Sequence, residues 1–336
     1  MSVAGWSRRV AVKGAAVLDV WRSPEEIDAD LAATVVTVGN FDGVHLGHRR
    51  VLSRATEIAD ELGHPPVVVV TFDPHPMAVL RPDRAPLMLT TPDQRAELLA
   101  EAGADAMLVV AFDEEIAHWS PEDFVRRILV DALHAAVVVV GANFRFGHRA
   151  AGDVALLSRL GKQYGFSCES LALEDEPVAW SSSYVRGRIA EGDVAAAAVA
   201  LGRPVFVEGV VVRGERRGRA LGYPTANVPA PEHSAVPADG VYAGWLQRLD
   251  DPDRHSLPAA ISVGTNPTFD GRIRQVEAYV LDRTDLELYD VGVRVSFQRR
   301  LRGMERFDSV EELKAAMGRD VALAHEFLGV PVPDQG

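Results

Sequence analysis

The chain has 336 residues, 47% of them hydrophobic and 25% charged, which as a prior on length and composition predicts two globular domains without bulk disorder. A net charge of −13 argues against nucleic acid and anionic membranes as partners, because both are held by clustered Lys and Arg. The longest apolar run, near Ala135–Ala142, falls short of the roughly 18 residues of a membrane span, the N-terminus reads as no secretory signal, and the single cysteine, Cys168, excludes an intrachain disulfide.

The expectation is a cytoplasmic enzyme acting on small molecules. Its positive charge is local, in RGERRGR (Arg213–Arg219) and FRFGHR (Phe144–Arg149). No oligomeric state can be read from the chain, and the stretch from Met1 to about Arg22 carries no interpretable motif.

In chain order, TVVTVG (Thr34–Gly39) is a β-branched run that predicts a buried strand. A helix is expected from about Leu46 to Leu62. PVVVVTF (Pro66–Phe72) predicts the next strand, broken by DPHP. Thr91 is the expected N-cap of a helix starting near Pro92. DAMLVVAF (Asp105–Phe112) is a third strand. Ser120-Pro121 opens another helix, with Ser as cap and Pro in its first position. AVVVVG (Ala136–Gly141) is a fourth strand. Continuous apolar strands alternating with helices predict a parallel sheet covered on both faces.

A helical stretch from about Ser183 to Leu201 closes this half. From Pro204 the strands become short, alternating and rich in turns, as in VFVEGVVV, GVYAGWLQRL and VGVRVSF. That texture predicts a small antiparallel barrel. A final helix begins behind Ser309, with Glu312 placed for a capping box. The expected class is α/β: an N-terminal Rossmann-like parallel-sheet domain over residues 1–200, and a C-terminal antiparallel β-barrel with a terminal helix over 201–336.

GNFDGVHLGH (Gly39–His48) stands where a strand meets a helix. In open α/β sheets, ligands bind at the C-terminal ends of strands. A helix N-terminus offers free N–H groups to phosphate. Gly43 and Gly47 allow close backbone approach. His45 and His48 face the same way if the helix starts here, and each imidazole can donate to charge developing on a phosphate. The segment would also suit a helix-capping turn with surface histidines, or a metal pair. The ten-residue strand–loop–helix context favours nucleotide handling.

The second segment is EGVVVRGERRGRALGYPTAN (Glu208–Asn227). The chain has no GxxxxGK[ST] sequence, so phosphate must be held by another glycine loop, for which Gly214, Gly218 and Gly222 are available. Thr225 and Asn227 are neutral oxygen ligands on one side of an extended segment. Magnesium accepts such a site when substrate phosphates complete its shell. RGERRGR alone reads as a hairpin with exposed arginines; the following GYPTAN shifts the balance.

The first motif resembles the HxGH signature of the nucleotidylyltransferase superfamily. With FDGVH it is similar to the adenylyltransferase half of bifunctional riboflavin kinase/FAD synthetases. TFDPHP (Thr71–Pro76), GANFRFGHRAAGD (Gly141–Asp153) and SSSYVR (Ser181–Arg186) resemble that family in order. GYPTAN, GVY at Gly240, SVGTNPTF (Ser262–Phe269), VEAYVLD (Val276–Asp282) and LRGMERFDSVEEL (Leu301–Leu313) resemble its riboflavin kinase domain.

The resemblance implies that riboflavin and ATP give FMN, and that FMN and a second ATP give FAD and pyrophosphate, with Mg2+ as the metal. It implies that His45 and His48 stabilise the transferring phosphate, and that Gly39, Phe41, Asp42, Gly43, Gly47, Ser182 and Arg186 bind that nucleotide. Asp73, Pro74 and Asn143 would meet flavin there. In the second half, Gly214, Gly218 and Gly222 would hold nucleotide, Thr225 and Asn227 magnesium and ATP, and Arg302 flavin. Glu277 takes the place of the catalytic glutamate.

The chemistry agrees with these roles. A guanidinium such as that of Arg186 gives paired donors to phosphate, and a carboxylate can take the proton of an attacking alcohol. Glu277 would also suit an outward strand residue; periodicity does not decide between the two, and only the resemblance points to the site. Two departures from the family pattern stand out: Asp290 where glycine is usual, and Arg49-Arg50 after His48. One alternative keeps a single activity, with the other half a flavin-binding or regulatory module. Others are a nucleotidylyltransferase of different substrate and a flavin carrier.

Overall fold

A sheet of β-branched strands forms the first half of the chain. The computed structural model describes residues 8–10, 18–172, 180–214, 221–268 and 271–331. Its first strands are β1 (Arg8–Val10), β2 (Leu18–Trp21) and β3 (Thr34–Val38), followed by α1 (Leu46–Glu61), β4 (Val67–Asp73), α2 (Pro76–Leu80), α3 (Pro92–Glu101) and β5 (Ala106–Ala111). Then come α4 (Glu114–Ala117), α5 (Pro121–Phe124), which runs on as π-wound helix over Val125–Ala132, and β6 (Ala135–Gly141), α6 (Val154–Tyr164) and β7 (Ser167–Leu171).

The strand order is β1-β2-β5-β4-β3-β6-β7. Every neighbouring pair is parallel except β1 with β2. Val35, Val36, Val68, Val69, Leu108 and Val138 are all buried, as strands covered on both faces must be. Helices supply the cover: Phe124, Ile128, Leu129 and Leu157 pack on the sheet. From β3 the chain moves to β4 and β5 on one side and to β6 on the other. That reversal opens a crevice at the C-terminal edge of the sheet, where such folds bind ligands.

In the parallel sheet, the expected strands and the helices that begin at Leu46 and Pro92 form within a residue or two of their predicted ends. Thr91 makes the full capping box with Gln94. Strands β1, β2 and β7 carried no sequence expectation; β7 is polar and only part-buried.

The chain divides into two compact units between Ser181 and Ser182. The helical stretch before Leu201 is therefore part of the second unit and lies ahead of the change in composition. It is also two helices, α7 (Ser182–Glu191) and α8 (Val194–Leu201). Packing explains the division: Ala238 donates its N–H to Ile189 at 3.1 Å, and Arg300 Nη1 donates to the Glu191 carbonyl at 3.2 Å. The chain reverses at Gly192, whose φ is 78°, and the Asp193 side chain caps α8.

The barrel strands are β8 (Val205–Val210), β9 (Ala226–Pro229), β10 (Gly240–Arg248), β11 (Ser256–Thr268), β12 (Gly271–Val280) and β13 (Gly292–Arg302). They form one antiparallel sheet in the order β8-β13-β10-β11-β12-β9. A bridge from Val212 to Asn227 brings the two edges together and nearly closes it. The terminal helix α9 (Val310–Leu328) seats Ala324 against Ala243 and Leu281. Ser309 caps it, but the Glu312 carboxylate reaches back to the Asp308 N–H at 3.2 Å instead of that of Ser309.

Candidate active sites

The loop from β3 into α1 is held in a costly backbone. Phe41, Gly43 and Val44 have φ of 47°, 83° and 38°. For a side-chain-bearing residue this left-handed region costs roughly 1–2 kcal/mol, and such strain persists only where its surroundings enforce it. Phe41, Asp42 and Val44 are all buried. The Asp42 carboxylate accepts from the N–H groups of Leu89 and Thr90 at 3.0 Å and from the Thr90 hydroxyl at 3.1 Å. The same hydroxyl accepts from the Gly43 N–H. Asp42 thus anchors the loop from beneath. Its side chain is 0% exposed, which is a structural use of a residue expected at the nucleotide.

His45 is the N-cap of α1 and its Nδ1 accepts the His48 N–H at 3.4 Å. In the neutral ring the proton therefore sits on Nε2. The two imidazoles stack with centroids 3.6 Å apart, and the Phe41 ring lies 4.8 Å from that of His48. Part of His48 reaches solvent, yet its Nδ1 is buried without a partner among the described residues. Burial above all, then nearby His45 and Arg95, push its pKa well below the ordinary value. The ring is neutral at physiological pH and can still donate one N–H. Gly47 serves the pair by its lack of a side chain: a Cβ there would lie 3.1 Å from the His45 ring and 3.3 Å from the Trp180 carbonyl.

The exits of β4 and β6 flank this loop. Asp73 and Pro74 are exposed at the end of β4, and Asn143 is exposed in the turn after β6. His75 caps α2, and its Nε2 lies 3.1 Å from Asn40 Nδ2. Stacked Phe144 and Phe146 follow Asn143. Ser182 and Arg186 lie on α7, in the second unit, both part-buried.

In the barrel, Glu277 on β12 is registered opposite Asn227 on β9 and Ser262 on β11. The Asn227 amide is held at both ends: Oδ1 accepts from Gln275 Nε2 at 3.0 Å, and Nδ2 donates to the Thr225 carbonyl at 3.3 Å. Gly214 leaves room for it, since a Cβ there would fall 2.7 Å from that amide. Gly222 has φ of 90° in an open turn. Gly218 lies outside the described residues. Gly214, Thr225 and Asn227 line a small cavity of about 60 Å³ together with Arg283 and Tyr289.

Glu277 lines a second, larger cavity of about 290 Å³, walled by Tyr223, Tyr279, Met304, Phe307 and Met317. Its strand neighbours Val276 and Ala278 are buried in the barrel, so the ambiguity left by periodicity is resolved by a concave apolar wall. Thr225 borders both cavities. Arg302 is on the larger one, but its guanidinium is committed. Nε and Nη2 donate to the Asp320 carboxylate at 2.8 and 2.7 Å, and Nη1 donates to the Gly303 carbonyl. The Asp320 hydrogen bonds raise the Arg302 pKa further. Asp290 has φ of 61°, the conformation glycine supplies most readily and aspartate tolerates.

Sequence reasoning missed Gln275 and Asp320, because a lone polar residue on a strand or helix gives no signal of the partner it meets across the fold. Among the described residues, no helix is long and apolar enough to cross a membrane.

Comparison with known proteins finds a family match in each half of the chain. A family model described as FAD synthetase matches residues 27–183, and one described as riboflavin kinase matches 201–328. The chain is 38% identical over 300 residues to a bifunctional riboflavin kinase/FMN adenylyltransferase of Escherichia coli K12, covering 89% of this chain and 94% of that one. It is 39% identical to one from Pseudomonas fluorescens, covering 86% and 91%. A crystal structure described as a macrolide-efflux protein from Streptococcus pneumoniae matches with a TM-score of 0.81 and 30% identity, over 91% of this chain and 98% of that one.

Proposed function

The chain belongs to the bifunctional riboflavin kinase/FMN adenylyltransferase family, and from that premise we propose how its residues share the work. The enzyme phosphorylates riboflavin with ATP to FMN, then transfers AMP from a second ATP to FMN, giving FAD and pyrophosphate.

One observation carries the kinase assignment: Glu277 stands on an apolar cavity whose border residue, Thr225, also lines the cavity holding Asn227. Riboflavin's rings fill the larger space, between Tyr279, Met304 and Phe307. Glu277 takes the proton of the ribityl alcohol as its oxygen attacks the γ-phosphorus and ADP leaves. Thr225 and Asn227 suit Mg2+, which prefers oxygen and takes the rest of its shell from phosphates and water. When bound, the ion neutralises charge on the triphosphate. Gly214 and Gly222 offer backbone to the phosphates. Arg302, fixed by Asp320, forms part of the flavin wall.

In the first unit, a phosphate oxygen of FMN attacks the α-phosphorus of ATP and pyrophosphate departs. His45 and His48 donate N–H groups to the oxygens on which charge builds. The backbone of Gly39–Gly47 and the N-terminus of α1 receive phosphate. Asp73, Pro74 and Asn143 meet the flavin. Its partners are small molecules, and its place is the cytoplasm.

Two substitutions test this division. Glu277→Gln abolishes FMN formation and spares conversion of supplied FMN to FAD. His48→Ala does the reverse. A folded variant of either kind that loses both activities contradicts the assignment.

A further inference from the structure

Arg95 is 2% exposed and heads the largest fully buried side chains. Burying an ionised group costs several kcal/mol, so a guanidinium in this position needs a reason. Arg95 makes no salt bridge among the described residues, and its Nε has no hydrogen-bond partner there. Two carboxylates, Asp42 and Asp73, favour its charge from a distance, while burial opposes it.

Its contacts run to the candidate site. Nη1 donates to the Thr71 hydroxyl at 2.9 Å and reaches the Phe72 carbonyl at 3.4 Å. The Thr71 hydroxyl in turn donates to the Asn40 carbonyl at 3.0 Å. Asn40 follows Gly39 at the exit of β3, and Phe72 precedes Asp73-Pro74 at the exit of β4. One side chain from α3 therefore ties the nucleotide loop to the flavin loop. The same cation lies close enough to His48 to disfavour its protonation.

We propose that Arg95 is a positioning residue for adenylyl transfer, a buried cation that fixes the exits of β3 and β4 beneath the histidine pair. The arrangement does two things at once. The Arg95–Thr71–Asn40 chain sets the distance between the two substrate loops. A fixed positive charge in a dry site also remains in place as negative charge builds on the phosphates, without any proton movement. The inference rests on adenylyl transfer taking place in the first unit.

The test uses the full chain with FMN and ATP, and riboflavin phosphorylation by the same preparation as internal control. Arg95→Met keeps the bulk and removes the charge. It lowers kcat for FAD formation about 100-fold, the scale of a ~1 Å misplacement, with KM for ATP within threefold and the kinase rate unchanged. Arg95→Lys recovers at least tenfold of that loss. Thr71→Val leaves the cation but breaks the relay, and lowers kcat about tenfold, consistent with one hydrogen bond. An Arg95→Met enzyme within threefold of the parent overturns the proposal. So does a Lys variant no better than Met. If Arg95→Met unfolds the first unit, Thr71→Val decides, and full activity there overturns the proposal. His48→Ala, run alongside, separates the two failures: an unchanged FAD rate in that variant sinks the site assignment itself.

Discussion

His48 is a base whose surroundings keep it uncharged. Its pKa in the folded chain is well below the ordinary value, first through burial and then through His45 and Arg95. Protonation therefore favours the unfolded chain, where a histidine titrates near ~6.5. The stability this residue contributes is whole above that pH and is lost as pH falls toward the folded value. Melting of the parent and of His48→Asn at pH 7.5 and 5.5 checks the sign. The parent is expected to lose more stability on acidification than the variant, and equal losses would show that His48 is not the group responsible. Its neighbour Gly47 makes a second case. A methyl group there would press on the His45 ring and the Trp180 carbonyl. Gly47→Ala is expected to lower kcat for FAD formation about 10- to 100-fold, as misplacement of a catalytic group does, with FMN formation unchanged. An unaffected FAD rate would mean that the stacked geometry of the pair does not matter.

At the scale of elements, the clearest dependency is α9 on the barrel. Asp320, 8% exposed at its side chain, holds Arg302 through two charge-assisted hydrogen bonds. Removing one partner of a buried pair is costly, and with Arg302 partly exposed the expected loss for Asp320→Ala is about 2–3 kcal/mol. The KM for riboflavin should rise roughly tenfold, from a loosened wall worth ~1.4 kcal/mol of binding. Thermal melting and kinase assays check both effects, and an unchanged melt with normal riboflavin KM would remove α9 from the flavin site.

The same scale shows what sequence reveals. Strands such as Thr34–Val38 and Val67–Asp73 are legible because they are buried on both faces and therefore uniformly apolar. The polar β7 and the short β2 gain their place from sheet neighbours, which local pattern does not record. The helical stretch expected before Leu201 is broken at Gly192, where the chain packs against residues far along the sequence.

For the molecule as a whole, motif and architecture agree at both ends of the chain. The histidine pair, the PTAN segment and Glu277 were legible because each lies in a run of several matching residues. Their supports were not: Gln275 fixes the Asn227 amide, and Asp320 fixes Arg302. Such partners come from distant parts of the chain and leave no local signature. Composition placed the change of texture near Ala200, while packing divides the chain at Ser181/Ser182, because α7 and α8 are bound into the second unit by Ala238 and Arg300.

The central claim is two successive nucleotide-dependent reactions on one polypeptide. The most direct test is a time course of flavins, separated by chromatography, after the purified chain is mixed with riboflavin, ATP and magnesium. FMN is expected to rise first and FAD to follow at its expense. Accumulation of FMN without FAD, or riboflavin left unchanged while supplied FMN still becomes FAD, would contradict it.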